Sequence, residues 1–570
     1  MVVASGQIPA LCLGPVVAMA AMAAMSSTAA GAAGQGVELV GVGGKAGWPV
    51  LFPDGRLMMW WTEGKGEDLA QVADVGIAQR FCCRFSSDDG RTWSRPHVAF
   101  QFAPEPSAFL SPGAVLLDRD GVVHCFGLRY QAFVVDDWDA TRSALFHVMS
   151  ADGGQTWTAP QDCDFGAQYT GASNCAIQLA SGRILVPVSY YAKRATARFV
   201  SRVTLSDDGG KGWRPSRGEC VVDTGGGAAE SGACEPVALQ LTDGRVWMLI
   251  RTQAGTQYES WSSDDGDTWT EPAPSRFASS NAPVHMVRLR DGRIALVWQN
   301  CMGPTGVSYD RQILAAAISD DDGKTWRGYR EIVRAGERGA AEQVTYPWIC
   351  EAADGKLLVS YFGVRGPWDV GLLRLDPQWL YETTLHNDLA RGLGDWVTMG
   401  TEGADVVPHP TRHHRQLLAL RKPKPDVEAG ASLNFPFGAG GHLAIRLCPQ
   451  PGFRGARLGL ADHFSLPARR QDGLFGLAIA PTGQLEAVTA TEPITTIPAS
   501  LEAGQWHTLD FAWDCEKGTC KLAVDGKPVA DLPQLVSGVG VCYLRLRSAA
   551  GRTDGAGLLI ESVDTQVTSW

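Results

Sequence analysis

One eight-residue pattern, Ser-x-Asp-x-Gly-x-x-Trp, occurs five times within the first two thirds of the chain. The copies begin 56 to 64 residues apart, which is too long for a single hairpin and suits a small sheet of about four strands. Regular repetition at such a period indicates that one supersecondary unit is used several times. We call the copies boxes; they begin at Ser86, Ser150, Ser206, Ser262 and Ser319.

Each box is predicted to be a rigid turn and not a site of chemistry. The Asp can accept backbone N–H groups of its own turn, the Gly permits a positive φ, and the Trp can fold back over the loop. The pattern contains no nucleophile and no proton donor for catalysis. We therefore expect all five boxes to be structural and to lie on exposed turns away from any central funnel.

A second repeat counts the units. Hydrophobic runs flank an Asp-Gly or Ser-Gly turn at six places, and such a turn is a strong signal for a β-hairpin. Six sheets of about four strands predict an all-β fold, a six-bladed β-propeller over residues 37–381. An early strand over residues 37–42 is expected to close the ring beside the last blade. The turns begin at Asp54, Asp120, Ser181, Asp243, Asp291 and Asp354.

The repeats stop near residue 382, and alternating strand patterns continue to the C-terminus. Residues 383–570 are therefore predicted to form a β-sandwich of the jelly-roll type. Within them, residues 504–533 read as strands joined by tight turns, and this stretch resembles laminin-G or concanavalin-like domains. The resemblance implies either carbohydrate binding or a purely bracing role.

Composition and charge narrow the class of partner. The 570 residues are 45% hydrophobic and include 66 Gly and 19 Trp, which is enough for two β domains. The formal net charge of −11 argues against nucleic acid and against an anionic membrane surface. An acidic sugar is still compatible, because a pocket can be locally basic in an acidic protein. We expect a monomer that binds a carbohydrate.

Residues 1–33 are predicted to be an export signal, since 8–25 are almost entirely small or apolar and small residues suited to cleavage follow. The first ten residues contain no Lys or Arg, which is unusual for such a signal. A membrane anchor is the alternative, although Gly14 and Pro15 weaken it as a spanning helix. We expect a secreted or periplasmic protein whose mature chain has no membrane span.

The cysteine and histidine patterns predict no metal site, and nothing in the sequence indicates a cofactor. Thirteen of the fourteen cysteines lie beyond the signal, and neither Cys-x-x-Cys nor His-Glu-x-x-His occurs. Cys220 with Cys234, and Cys515 with Cys520, are candidate disulfides for an oxidising compartment. Three histidines within 409–414 lie in a polar loop, and we expect them to be solvated.

Residues 37–381 carry five boxes and six repeated units. In these features they resemble the sialidase (neuraminidase) superfamily, in particular bacterial exo-sialidase-type proteins with BNR (Asp-box) repeats. The resemblance implies an exo-glycosidase that removes terminal sialic acid with retention, using a Tyr nucleophile, a Glu base and an Asp acid/base. Two alternatives are a glycosidase or lyase of the same shape that acts on a uronic sugar, and a non-catalytic glycan-binding propeller.

The fourth and sixth units carry the matching residues. The superfamily has a Glu at the head of an inner strand and an Arg at the end of the returning strand, as Glu235 and Arg251 are here. A tight turn brings both ends of such a hairpin to one rim. Tyr346, eight residues before Asp354, matches the nucleophile, and a neutral phenol can approach a carboxylate-bearing carbon without repulsion. Glu235 would be its base, with Glu230 as the alternative.

The resemblance assigns two further roles. Arg311, eight residues before the box at Ser319, matches another arginine of the superfamily. Together with Arg251 it would offer planar, bidentate donors to the carboxylate of a substrate. The acid/base is expected in the loop before the first box, where Asp74 is the candidate and Asp68 the alternative.

One arginine of the superfamily is missing. Its members open the first blade with Phe/Tyr-Arg-Ile-Pro, whereas this chain has Ala46-Gly47-Trp48-Pro49. Lys45 is a substitute cation, but an ammonium is a point charge and lacks the planar fork of a guanidinium. The missing arginine favours the two alternatives over sialic acid as substrate and leaves the propeller prediction unchanged.

Overall fold

The computed structural model describes residues 36–42, 46–63, 80–102, 109–132, 138–163, 165–170, 173–225, 231–302, 311–335, 343–363, 370–399, 402–465, 473–489 and 495–570. Outside these ranges lie the predicted export signal and the candidates Lys45, Asp68, Asp74 and Glu230. Among the described residues no helix is long and apolar enough to cross a membrane.

Six antiparallel sheets form the blades of a propeller, as the six hairpins predict. The first strand of blade 1 contacts those of blades 2 and 6, and the first strand of blade 5 contacts those of blades 4 and 6, so these strands line the centre of the ring. Blade 1 consists of Trp48–Leu51, Leu57–Glu63, Arg80–Ser86 and His97–Gln101. Blade 2 consists of Phe109–Leu117, Val123–Ala132, Arg142–Ser150 and Gln161–Asp162. Blade 3 consists of Tyr169–Thr170, Ile177–Gln178, Ile184–Tyr191, Phe199–Ser206 and Arg214–Pro215. Blade 4 consists of Cys234–Gln240, Val246–Arg251, Thr256–Ser262 and Ala273–Ala278. Blade 5 consists of His285–Arg288, Ile294–Trp298, Ile313–Ser319 and Arg327–Arg334. Blade 6 consists of Thr345–Glu351, Leu357–Phe362, Val370–Leu375 and Val37–Leu39.

The ring closes where the earliest described strand joins the last blade. Val37 pairs with Leu375 and Leu39 with Leu373, so Val37–Leu39 forms the outermost strand of blade 6. The closing strand predicted within 37–42 is therefore confirmed. Because the first strand covers the edge of the last blade, the two ends of the propeller hold each other in place.

The boxes are turns held by their own hydrogen bonds. In the first box, Asp88 Oδ1 accepts from Ser86 Oγ at 2.8 Å and from the backbone N–H of Thr92 at 2.8 Å. Hydrogen bonds from Thr156 lower the pKa of the corresponding Asp152 to about 2. In blade 4, Ser262 pairs with Val246 at the start of the second strand, so the box lies at the Asp-Gly end of the blade. The prediction of structural boxes on exposed turns is confirmed.

Two further sheets pack face to face around one apolar core, which confirms the predicted all-β sandwich. The eight-stranded sheet consists of Thr384–Asn387, Ala404–Pro408, Gln416–Lys422, Gly440–Pro449, His507–Asp514, Thr519–Val524, Lys527–Pro533 and Asp554–Ser569. The seven-stranded sheet consists of Trp396–Met399, Gly430–Gly438, Ala456–Ala461, Phe475–Ile479, Gln484–Ala487, Thr495–Ser500 and Val541–Ser548. A short 3-10 helix, Pro377–Tyr381, separates blade 6 from the sandwich.

The sandwich packs against blade 5 through a shared apolar core. The ring of Tyr329 stacks on Phe437 with 4.0 Å between centroids, and Tyr543 Oη donates to Glu331 Oε1 at 2.7 Å. Burial raises the pKa of Tyr543 well above its usual value, so this phenol is a stable donor. Buried contacts of this kind join the two β units.

Two expectations about side chains are wrong. Neither predicted disulfide forms. In the ladders Cys234 lies opposite Arg251, and Cys520 lies opposite Trp513. His409 is buried and not solvated, and its imidazole stacks on Trp506 with 5.6 Å between centroids. Within the described ranges no group of three or more His, Cys, Asp or Glu side chains is arranged to hold a metal ion.

Candidate functional site

The inner strands of blades 4 and 6 are both irregular at the residue singled out by the sequence. The ladder of each blade shifts register around Glu235 and around Tyr346, and these residues have φ of +41° and +51°. Pro236 and Pro347 follow them and cannot donate to a ladder. A bulge re-aims a side chain, and strained backbone is retained where the surroundings require it. Both side chains are thereby turned out of the regular strand pattern.

Glu235, Arg251 and Tyr346 are in mutual contact. Tyr346 Oη donates to Glu235 Oε1 at 2.8 Å, and Arg251 Nη1 donates to Glu235 Oε2 at 2.6 Å. The same Nη1 lies 3.4 Å from Tyr346 Oη. The carboxylate is 1% exposed and the guanidinium 2%, whereas Tyr346 is half-buried. A buried ion pair therefore holds the carboxylate that accepts from Tyr346, whose own side chain is only half-buried.

Arg311 joins this group through a residue that the sequence did not single out. Arg251 Nε donates to Asn281 Oδ1 at 2.7 Å, and Arg311 Nη2 donates to the carbonyl of Asn281 at 3.1 Å. The guanidinium of Arg311 lies over the ring of Tyr346, 5.4 Å from its centroid. Asn281 precedes the inner strand of blade 5, close to the positions of Glu235 and Tyr346 in their blades. This position before an inner strand is the sequence signal that could have identified Asn281.

The blade-1 side of Tyr346 is aromatic. Phe362 meets the ring of Tyr346 edge-on at 5.7 Å, and Trp48 meets Phe362 edge-on at 5.4 Å. A Cβ at Gly47 would lie 2.0 Å from the carbonyl oxygen of Trp60, so the backbone leaves no room for a side chain there. This position, where the sialidase superfamily has an arginine, is closed to every residue except glycine.

Gly47→Arg is therefore expected to destabilise the protein without improving catalysis. Overpacking costs about 1–3 kcal/mol in typical cores, and contact with backbone atoms cannot be relieved by a rotamer change. Thermal unfolding measures the loss. Gly41→Arg is the matched control, because a Cβ at Gly41 meets nothing within 4 Å. Equal unfolding temperatures for the two variants would show that the backbone at Gly47 adapts.

The site faces the end of the propeller opposite to the boxes. Cys234 at the head of the inner strand pairs with Arg251 at the end of the second strand, far from the Asp-Gly turn that adjoins the box. Its described charged groups are two guanidiniums and one carboxylate, which leaves one positive charge in an otherwise acidic protein. Such a pocket suits an anionic group on a ligand. The two acid/base candidates, Asp74 and Asp68, lie outside the described residues.

Comparison with family models gives one match. The model described as BNR repeat-like domain matches residues 55–359, which is more than half of the chain. The matched segment begins at the Asp-Gly turn of blade 1 and ends within the second strand of blade 6. It includes all five boxes together with Glu235, Arg251, Asn281, Arg311 and Tyr346. Comparison with curated protein sequences gave no match.

Solved structures also match. Trypanosoma rangeli sialidase in complex with sialic acid matches with 15% identity and a TM-score of 0.44, covering 92% of this chain and 91% of that chain. A mutant of that sialidase displaying trans-sialidase activity matches with 14% identity and a TM-score of 0.45, covering 94% and 96%. A protein of unknown function from Dyadobacter fermentans matches with 20% identity and a TM-score of 0.46, covering 61% and 100%.

Proposed function

The chain belongs to the BNR repeat-like domain family, and on this premise we propose that it is a retaining exo-glycosidase of the sialidase type. Its substrate is a glycoconjugate that ends in a sugar bearing a carboxylate, with sialic acid as the first candidate. The observation that carries the proposal is the contact of Tyr346 with Glu235 at 2.8 Å beside the guanidinium of Arg251. A phenol with its own base and an adjacent cation is an activated nucleophile.

The first step forms a bond between Tyr346 Oη and the anomeric carbon. The phenolic proton passes to Glu235 Oε1 while the bond from the anomeric carbon to the leaving oxygen breaks. Arg251, 3.4 Å from the phenol oxygen, stabilises the negative charge that develops there. Asp74, with Asp68 as the alternative, donates a proton to the leaving oxygen.

The second step releases the sugar. Asp74 takes a proton from water, whose oxygen attacks the anomeric carbon as the bond to Tyr346 breaks. The phenolate recovers its proton from Glu235, so both carboxyl groups return to their starting state. Two displacements at one carbon give net retention of configuration.

Arg251 and Arg311 are proposed to hold the carboxylate of the sugar. Asn281 accepts a hydrogen bond from each guanidinium and thereby sets their spacing. A phenol suits such a substrate because it is neutral, whereas a carboxylate nucleophile would repel the anion on the sugar. Glu235 is itself negatively charged, and the guanidinium of Arg251 neutralises it at 2.6 Å.

A uronide is the second candidate substrate, and the closed position at Gly47 favours it. A third arginine cannot be supplied from that position, and Trp48 and Phe362 form an apolar wall instead. In a uronic acid the carboxylate is attached away from the anomeric carbon. Two arginines on one side of the pocket and an aromatic wall on the other match that arrangement.

Turnover of a fluorogenic sialoside, a panel of fluorogenic uronides and their neutral counterparts tests the proposal. The acidic member of one pair is expected to have a kcat/KM at least about tenfold higher, since a charge-assisted hydrogen bond contributes about 1.5–3 kcal/mol. Arg311→Ala is expected to remove that preference and to leave turnover of the neutral glycoside within about threefold. Binding of acidic sugars without turnover of any glycoside would instead support the non-catalytic alternative.

A further inference from the structure

A cluster of arginines lies on the sandwich, outside the funnel. Side chains alternate along Asp554–Ser569, so Leu558 and Ile560 enter the sandwich core while Glu561 lies on the opposite face of the sheet. Arg412, Arg415 and Arg446 surround this carboxylate; we call these three residues the arginine cluster. Arg446 Nε donates to Glu561 Oε2 at 2.8 Å, Arg415 lies 3.6 Å from Oε1, and Arg412 contacts the same oxygen.

The charges of this cluster are not balanced. Glu561 is 3% exposed, whereas the side chains of Arg412, Arg415 and Arg446 are 42%, 44% and 42% exposed. One buried carboxylate needs one guanidinium for neutrality, and three are present. The nearby carboxylate of Asp525 contacts His507 at 2.8 Å and also attracts Arg446, so the three guanidiniums exceed the carboxylates even when Asp525 is counted. Half-exposed guanidiniums in excess over carboxylate attract an anion from solvent.

An aromatic ring and an ordered turn adjoin the cluster. Trp506 is half-buried, and the guanidinium of Arg446 lies 5.7 Å from its ring centroid. His409 stacks on the same indole, and its Nδ1 accepts from the backbone N–H of Arg412 at 3.0 Å. The backbone N–H of His409 donates to the carbonyl of Arg415 at 2.9 Å. The turn that carries two of the arginines is thus held in place before any ligand binds.

We propose that the arginine cluster and Trp506 form a second carbohydrate-binding site, which recognises a sugar chain bearing carboxylate or sulfate groups. The planar forks of the arginines match both anions, and an indole beside them offers an apolar surface to a sugar ring. The proposal goes beyond the hydrolytic function, because none of its residues belongs to the funnel. It gives the sandwich a task that blades 1 to 6 do not perform.

Binding to polygalacturonate, chondroitin sulfate, neutral dextran and single-stranded DNA tests the proposal on the full chain. Tyr346→Phe serves as the parent so that no polymer is cleaved, and binding is measured whether or not the funnel is catalytic. Arg412→Ala with Arg415→Ala is expected to weaken binding of an acidic glycan at least about tenfold, because two charge-assisted contacts are lost. This variant retains the pair of Arg446 with Glu561, and thermal unfolding confirms its folding.

The matched control removes two positive charges elsewhere on the sandwich. Arg552→Ala with Lys424→Ala changes two exposed side chains and is expected to bind acidic glycans as the parent does. Equal losses in both double variants would overturn the site, because only net charge would then matter. Equal affinity for dextran, or tighter binding of DNA than of acidic glycans, would also overturn it. Wild-type cleavage of small fluorogenic glycosides is expected to be unaffected by the arginine substitutions.

Discussion

Tyr346→Phe is expected to lower kcat for an acidic glycoside by at least about a thousandfold, because the substitution removes the atom that forms the covalent bond. The ring keeps its contacts with Phe362 and Arg311. The loss of one hydrogen bond, about 1 kcal/mol, shifts the Tm by no more than about 4 °C. Steady-state kinetics and thermal unfolding of the same preparation measure the two effects.

Glu235→Gln tests the proposed base of the same Tyr346–Glu235 pair. It is expected to slow turnover strongly, and the double variant with Tyr346→Phe is expected to lose little more, because a nucleophile and its base act together. Tyr190→Phe is the matched control, since Tyr190 Oη donates to Glu219 Oε2 at 2.6 Å in blade 3. Its kcat is expected to equal that of wild type. Additive losses for the two site variants would contradict the pairing of nucleophile and base.

Trp326→Ala is expected to destabilise the protein by about 3–5 kcal/mol, as truncation of a buried Trp does in other cores. Trp326 is the box residue of blade 5 and is fully buried in the core shared with the sandwich. It meets Phe277 edge-on at 5.3 Å and donates to the carbonyl of Gly323 at 2.9 Å. Urea unfolding followed by tryptophan fluorescence measures the shift in midpoint.

Trp157→Ala is the matched control for this prediction. Trp157 occupies the same place in its box and donates to the carbonyl of Gly154 at 3.2 Å, but its side chain is only half-buried. A smaller loss, below about 2 kcal/mol, is therefore expected. Equal losses for the two variants would mean that the turn itself, and not the burial of its ring, supplies the stability.

Two kinds of feature follow from the sequence with no knowledge of packing. Each box is a set of hydrogen bonds within eight residues, such as those from Thr92 to Asp88, so its structure is encoded locally. The hairpins likewise depend on a turn and two flanking strands. Counting them predicts six blades, and the strand pattern of residues 37–42 predicts the strand that closes the ring, observed as Val37–Leu39. The separation of Glu235 from Arg251 across one hairpin places both at one rim for the same local reason.

Contacts between blades are a different matter, because they join residues that are distant in the chain. The matching motifs predicted that Tyr346 and Glu235 belong together, but the bridge that Asn281 makes between Arg251 and Arg311 depends on how blades 4 and 5 pack against each other. No local pattern encodes it. The roles of these residues in catalysis stay predictions, as does that of Asp74.

The sequence by itself determined the repeat, the turns and the position of each motif, because these rest on interactions between near neighbours. Only the tertiary structure decided burial: Trp326 is enclosed and Trp157 is not, although their boxes have the same pattern. It also closed Gly47 against the carbonyl of Trp60 and kept Cys515 and Cys520 as thiols. The physical reason is that burial and exclusion are set by what packs against a residue from elsewhere in the chain.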